Sequence, residues 1–212
     1  MKLLPSIASA DQSNLERAVQ SLKGWEYLHI DIEDGNFVPN ITFGMKTASS
    51  VCHMAAEKHI DAHLLVTEPV QYLEPLASFG VKAVCAHIES MRYPLVFLHQ
   101  ARALGMKAGL ALNIGTPSSA IEPFGDSMDY VLCMTSEPDG ADQSLYPYAL
   151  RRVCQLAQSA SIPVYADGGL GEDALRELSS AGAAAAVLGR LAFSAADPFA
   201  QLCRLSQELN IE

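Results

Sequence analysis

The sequence predicts an α/β fold, a single (β/α)₈ TIM barrel that occupies all of residues 1–212. Short apolar segments rich in β-forming residues alternate with longer amphipathic segments from end to end. Parallel strands need a crossover that a helix normally supplies, so repeated β-α units indicate a parallel sheet. Eight such units in 212 residues fit a compact closed barrel.

The predicted strands cover residues 3–7, 27–32, 60–65, 83–87, 107–112, 130–134, 163–166 and 185–188. Helical patterns cover residues 14–22, 45–58, 69–79, 91–104, 150–158 and 173–181. Gly80 and Gly105 follow helical runs where a left-handed cap is usual, and residues 11–14 offer N-cap side chains before the first helix. A doubly wound open sheet is the alternative, but the first turn, residues 6–11, lacks the glycines typical of that fold.

Composition limits the classes of function. The formal net charge of −10 without a basic stripe argues against nucleic-acid binding. No apolar run reaches the roughly 18 residues of a membrane helix, and no signal-peptide pattern opens the chain. The five scattered cysteines form no CxxC pair, which argues against a disulfide framework or a structural zinc site. We therefore expect a cytoplasmic protein without a membrane or nucleic-acid partner.

Polar residues end nearly every predicted strand. In a β/α barrel all strand carboxyl ends open onto one face, where active sites are built, so these residues are expected to converge. They are Ser6, His29, Asp31, His63, His87, Asn113, Thr135, Ser136, Asp167, Gly189 and Arg190.

Two histidines and two aspartates among these residues suit a divalent metal ion. Strand alternation places His29 and Asp31 on one face, with Glu33 as a further candidate on the same face. His63 and Asp167 end two other strands and complete a set of mixed nitrogen and oxygen ligands. Taken alone, the spacing leaves hydrogen-bonded structural histidines and a turn-capping Asp167 as alternatives.

The segments themselves resemble the ribulose-phosphate 3-epimerase family, and the resemblance covers almost the whole chain. Its strongest stretch is HIDIEDGNFVPNITFG, residues 29–44. The other matching segments lie along the chain in the same order as in the family. They are PSIASAD (5–11), DAHL (61–64), GLALN (109–113), MT (134–135) and DGG (167–169).

The resemblance implies a metal-dependent 3-epimerase of a keto-sugar phosphate. Its metal ligands would be His29, Asp31, His63 and Asp167, holding zinc, iron or manganese. Asp31 and Asp167 would be the catalytic acid–base pair that removes and returns the C3 proton, and the metal would stabilise the enediolate. A small-molecule sugar phosphate and assembly into a homo-oligomer are further expectations. The implied substrate-binding residues are Ser6, His63, Met134, Gly140, Gly168, Gly169, Gly189 and Arg190.

Several positions depart from the family pattern, as in a divergent branch of epimerases found with bacterial sugar-utilisation genes. Asp139 and Asp142 stand in a loop that is usually glycine-rich, where a carboxylate would repel phosphate. Arg190 follows Gly189 where serine is usual, and could bind phosphate or neutralise either aspartate.

Two active-site methionines of the family are also replaced, by Glu33 and Leu65. Glu33 could bind a sugar hydroxyl, join the metal ligands, raise the pKa of Asp31 or turn outward. These substitutions leave the keto-sugar undetermined.

Other functions remain as alternatives. The chain could epimerise a different pentulose or hexulose, with or without a phosphate. It could instead be a sugar-phosphate-binding barrel without catalysis. A Schiff-base aldolase or an orotidine-type decarboxylase is disfavoured, because none of the lysines ends a predicted strand.

Overall fold

The computed structural model describes residues 1–138 and 143–210 and has eight parallel strands alternating with helices. This confirms the predicted (β/α)₈ barrel. The strands are β1 (Lys2–Pro5), β2 (Tyr27–Glu33), β3 (His59–Leu65), β4 (Ala83–His87), β5 (Lys107–Leu112), β6 (Tyr130–Met134), β7 (Val164–Asp167) and β8 (Ala185–Leu188).

The sheet runs in the order β1-β8-β7-β6-β5-β4-β3-β2, with every neighbouring pair parallel. An isolated parallel bridge between Ser6 and His29 joins the first and last strands of this order. The barrel therefore closes beside two of the residues that the sequence singles out.

The α-helices lie in the connections between strands and after β8. Asn14 caps the first of them through a side-chain bond to the Arg17 N–H, and Gly80 and Gly105 adopt φ values of 89° and 83°, as predicted. The helices are α1 (Leu15–Gln20), α2 (Met45–Met54), α3 (Leu73–Ser78), α4 (Pro94–Ala103), α5 (Pro147–Ser159), α6 (Glu172–Ser180), α7 (Arg190–Phe193) and α8 (Pro198–Glu208).

Prolines account for two corrections to the predicted helices. The pattern over residues 69–79 divides into a 3₁₀ turn, Pro69–Tyr72, and α3. Pro75 lacks an N–H and is tolerated only in the first turn of a helix, so α3 cannot begin much before Leu73. The pattern over residues 91–104 becomes helical only at Pro94, which occupies the first helical position.

The remaining differences are at the ends of elements or in segments without a predicted helix. The first strand ends at Pro5, before a 3₁₀ turn at Ile7–Ser9, and α2 ends at Met54. A long 3₁₀ segment, Ser118–Ser127, connects β5 to β6. The amphipathic helix α8 after β8 was missing from the predicted helical patterns.

Strand alternation determines what faces the site. Along β2, Leu28, Ile30 and Ile32 belong to the main hydrophobic cluster, while His29 and Asp31 alternate with them. A smaller cluster that includes Leu4, Tyr130 and Met134 forms separately from the main one.

Among the described residues, no helix is long and apolar enough to cross a membrane.

Candidate metal centre

Four side chains from three strands form one compact cluster at the carboxyl ends of the strands. His29 and Asp31 lie in the middle and later part of β2, His63 lies near the end of β3, and Asp167 ends β7. One potential ligand atom from each residue lies within 4.8 Å of all the others. Both histidines are fully buried. The structure thus brings together all four residues proposed as metal ligands.

The donor atoms of this cluster fit a divalent cation. His63 Nδ1 is buried and has no hydrogen-bond partner among the described residues. It nevertheless lies 3.3 Å from Asp31 Oδ1 and 3.3 Å from Asp167 Oδ2. Two carboxylate oxygens converging on an unpartnered imidazole nitrogen form a donor set that suits zinc, iron or manganese.

Asp61, which sequence reasoning missed, contacts the ring nitrogen of His29 that faces away from Asp31. His29 Nε2 lies 3.2 Å from Asp31 Oδ1, while Nδ1 contacts the buried Asp61 carboxylate. Asp61 also accepts a hydrogen bond from the Tyr130 hydroxyl at 3.3 Å. Such a carboxylate typically fixes the orientation and tautomer of a metal-binding histidine. The period-2 alternation of β3 could have identified Asp61, because it precedes His63 by two residues.

The electrostatics of the cluster keep Asp31 ionised. Burial would raise the pKa of Asp31, but the charges and hydrogen bonds of His29 and His63 outweigh it and lower the pKa below the usual range. Burial would likewise lower the pKa of His29, and the charges of Asp31 and Asp61 raise it well above its usual value instead. Ser6 adds a hydrogen bond from its hydroxyl to Asp31 Oδ2.

Glu33 lies in the wall of a cavity of about 280 Å³ that opens beside the cluster. Its side chain is 8% exposed, so the alternative that it turns outward is wrong. Glu33 Oε2 accepts a hydrogen bond of 2.8 Å from Asn40 Nδ2. The net pKa shift of Asp31 is downward, opposite to the rise considered for Glu33 as a neighbouring carboxylate.

Asn40 also lines the cavity, and so does Thr42, whose hydroxyl donates to the Asp31 carbonyl at 2.8 Å. Both lie within the stretch that carries the strongest family resemblance, but neither was singled out from the sequence.

Six of the predicted substrate-binding residues line the same cavity. They are Ser6, Met134, Gly168, Gly169, Gly189 and Arg190. His63 instead belongs to the metal-ligand cluster. Asp139, Gly140 and Asp142 lie outside the described residues.

Backbone conformation and close packing explain why glycines occupy two of these positions. Gly168 and Gly169 have φ values of 113° and 67°, a backbone region that other residues rarely adopt. A Cβ on Gly169 would lie 2.7 Å from the Gln143 carbonyl oxygen. Arg190 is exposed at the rim, and its Nη2 donates to that same carbonyl at 2.7 Å.

A β/α barrel with a buried His/Asp cluster at its strand carboxyl ends has the architecture of a barrel enzyme with a candidate metal centre. Comparison of the sequence with known proteins identifies the family. Residues 2–193 match the ribulose-phosphate 3-epimerase family. The chain belongs to this family.

Curated relatives agree with the family. The cytoplasmic isoform of ribulose-phosphate 3-epimerase from Oryza sativa subsp. japonica is 36% identical over 93% of this chain and 89% of its own. Ribulose-phosphate 3-epimerase from Schizosaccharomyces pombe is also 36% identical, with the same two coverages. The predicted enzyme class, an isomerase that acts as a carbohydrate epimerase, is confirmed.

Solved structures add support for the fold alone. A mutant tryptophan synthase α-subunit from Pyrococcus furiosus superposes with a TM-score of 0.73 at 13% identity. The match covers 99% of this chain and 97% of that one.

Proposed function

We propose that this chain is a metal-dependent 3-epimerase of a keto-sugar phosphate, with all 212 residues in one domain. The observation that carries the proposal is the convergence of both carboxylates on His63 Nδ1, at 3.3 Å each. The two aspartates come from β2 and β7, which are separated by β1 and β8 where the Ser6–His29 bridge closes the barrel. Two carboxylates that approach from different strands suit proton removal on one side of a carbon and proton return on the other.

In this reaction Asp31 and Asp167 act as the acid–base pair. One carboxylate takes the proton from C3 of the substrate to leave an enediolate, and the other acid delivers a proton to the opposite face. The charges and hydrogen bonds of His29 and His63 keep Asp31 ionised. The hydrogen bond from the Ser6 hydroxyl helps to fix its position. His29, Asp31, His63 and Asp167 would hold a divalent ion, which would supply Lewis-acid polarisation of the substrate ketone.

The cavity presents two chemically different regions to an extended substrate. Glu33 and Asn40 offer hydrogen-bonding groups for sugar hydroxyls beside the cluster. Gly168, Gly169 and Arg190 line the wall on the side of β7 and β8, where a guanidinium suits a phosphate. This distribution supports a phosphorylated pentulose or hexulose, with Glu33 and Arg190 as determinants of specificity.

Two further proposals concern where and how the chain works. We propose a cytoplasmic enzyme, supported by the name of the Oryza relative, which is a cytoplasmic isoform. We also propose a homo-oligomer. The family resemblance implies this assembly, and exposed apolar side chains such as Tyr93 and Tyr148 are available for contact with a second copy.

The test is exchange of the substrate's C3 proton in D₂O, followed by NMR. The Zn²⁺-, Fe²⁺- or Mn²⁺-loaded protein is offered pentulose and hexulose phosphates and their unphosphorylated forms. Wild-type protein should exchange the C3 proton of at least one ketose, and Asp31→Asn and Asp167→Asn should each lose exchange and turnover. Glu122→Gln, an exposed carboxylate outside the cavity lining, is the matched control and should retain both.

The same experiment distinguishes an epimerase from a non-catalytic sugar-phosphate-binding protein with this fold. Metal-loaded protein that exchanges no ketose proton would refute the proposed epimerase. If that inert protein contained no metal but still bound sugar phosphates, the non-catalytic alternative would be favoured.

A further inference from the structure

A chain of polar contacts begins at His63 Nε2, the ring nitrogen that does not face Asp31 and Asp167. It continues through residues that do not line the substrate cavity. His63 Nε2 lies 2.9 Å from His87 Nε2, at the end of β4. His87 Nδ1 in turn faces Glu89 Oε2 at 3.3 Å. The other oxygen of Glu89 accepts from the Asn113 N–H at 2.9 Å and from the Thr116 hydroxyl. We define these four contacts as the Glu89 relay.

The geometry leaves little freedom in where the protons lie. Two imidazole nitrogens 2.9 Å apart can share only one proton, so one of them must donate and the other accept. Both rings are fully buried, with their planes 24° apart, and Phe37 packs against His87 at a ring-centroid distance of 4.9 Å. Buried rings packed in this way cannot readily turn to find water as another partner.

Glu89 determines the direction of the relay because an ionised carboxylate only accepts hydrogen bonds. Burial raises its pKa, but bonds from His87, Thr116 and the Asn113 backbone outweigh this and lower the pKa to about 2. A carboxylate 3.3 Å from His87 Nδ1 favours a proton on that nitrogen. When His87 is neutral, its Nε2 then accepts a proton from His63 Nε2. Because the proton of the His63 ring is held at Nε2, a metal ion can displace from Nδ1 any proton that Asp31 and Asp167 attract there in the metal-free protein.

We infer that Glu89 and His87 are positioning residues that hold His63 in the tautomer whose Nδ1 can bind the metal. The inference rests on the proposed metal centre. Neither residue is part of the cavity lining, so both would act through His63 and not by touching substrate.

Glu89→Gln tests this direction with little change in shape. The amide oxygen of glutamine would be expected to take the bonds from Asn113 and Thr116, which both need an acceptor. Its NH₂ group would then face His87 Nδ1 and convert that nitrogen into an acceptor. The proton of His87 would move to Nε2, His63 Nε2 would become an acceptor, and the His63 proton would lie on Nδ1, where it opposes metal binding.

Two measurements on the full chain follow this switch. Long-range ¹H–¹⁵N NMR of metal-free, histidine-labelled protein reports the tautomer of His87 without any metal. We expect protonation at Nδ1 in wild type and at Nε2 in Glu89→Gln. Zn²⁺ alone, titrated in competition with a chromogenic chelator, should bind the variant about 10–100-fold more weakly, as is usual when a partner of a metal-binding histidine is lost.

Thr116→Val is the matched control, because it removes one donor to Glu89 and leaves the carboxylate facing His87. It should keep the wild-type tautomer and a Zn²⁺ Kd within about threefold, since it leaves the orientation of the metal-binding histidine intact. Melting curves establish that each variant is folded. An unchanged His87 tautomer, or Zn²⁺ affinity in Glu89→Gln equal to wild type, would overturn the inference. Wild-type protein that binds no Zn²⁺, Fe²⁺ or Mn²⁺ would instead refute the proposed metal centre, whatever the tautomer.

Discussion

Arg152 offers a direct test of how this barrel holds the loop beside the Glu89 relay. The side chain is buried on α5, and its Nη1 donates to the carbonyls of Asn113, Ile114 and Thr116 at 3.0, 2.8 and 2.6 Å. The backbone of residues 113–116 is thereby tied to the barrel. Arg152→Met keeps much of the side-chain length and removes these bonds.

The magnitude follows from the number of protons available. Nη1 carries two hydrogens, so its three contacts amount to about two full hydrogen bonds, each worth about 1.5–3 kcal/mol for a charged donor. Part of this is offset, because methionine no longer buries a guanidinium and the half-buried carbonyls can be partly rehydrated. We therefore expect the free energy of unfolding to fall by about 2–3 kcal/mol. The melting temperature should fall by about 4–12 °C.

Urea unfolding of the full chain measures this change. Its single tryptophan, Trp25, is a suitable fluorescent probe, because its indole N–H donates to the Leu3 carbonyl at 3.1 Å and so reports on the barrel. Arg151→Met is the matched control, an exposed arginine on the same helix, and should stay within about 0.5 kcal/mol of wild type. If Arg152→Met lost no more stability than Arg151→Met, the reasoning would be refuted.

Two predictions concern the site itself. Asp61→Asn removes the negative charge beside His29 Nδ1 and should weaken Zn²⁺ binding about 10-fold or more, measured by chelator competition; an unchanged Kd would argue against that role. Glu33→Gln should raise KM about tenfold, with a smaller effect on kcat, for whichever ketose shows exchange, because a hydrogen bond to a charged group is weakened. Steady-state kinetics would contradict a substrate contact if KM and kcat both stayed at wild-type values.

Much of the barrel could be read from the sequence, because its signals are local. Strands β4, β5, β6 and β8 have the predicted bounds, since short runs of buried residues flanked by polar positions and turns mark them clearly. The helices depart further from the predicted bounds. Proline sets the starts of α3 and α4 and so overrides the apolar periodicity around them.

The residue types at the strand ends indicated a candidate metal site, and the family resemblance implied its four ligands. In a parallel barrel, position along a strand determines which face a side chain reaches, and every carboxyl end opens to the same side. His29, Asp31, His63 and Asp167 therefore converge although they lie far apart in the chain.

The supporting contacts required the tertiary structure, because they depend on register between strands and on side-chain direction. Pairing of β2 with β3 sets His29 opposite Asp61, which explains the carboxylate contact at the His29 ring. The meeting of His63 with His87 likewise depends on how β3 and β4 align. The sequence by itself determined the barrel and, through the family resemblance, the four candidate ligands, and strand alternation already offered Glu33 a place on the same face. Only the folded chain decided which side chains hold those ligands, since contacts between strands do not follow from spacing along one strand.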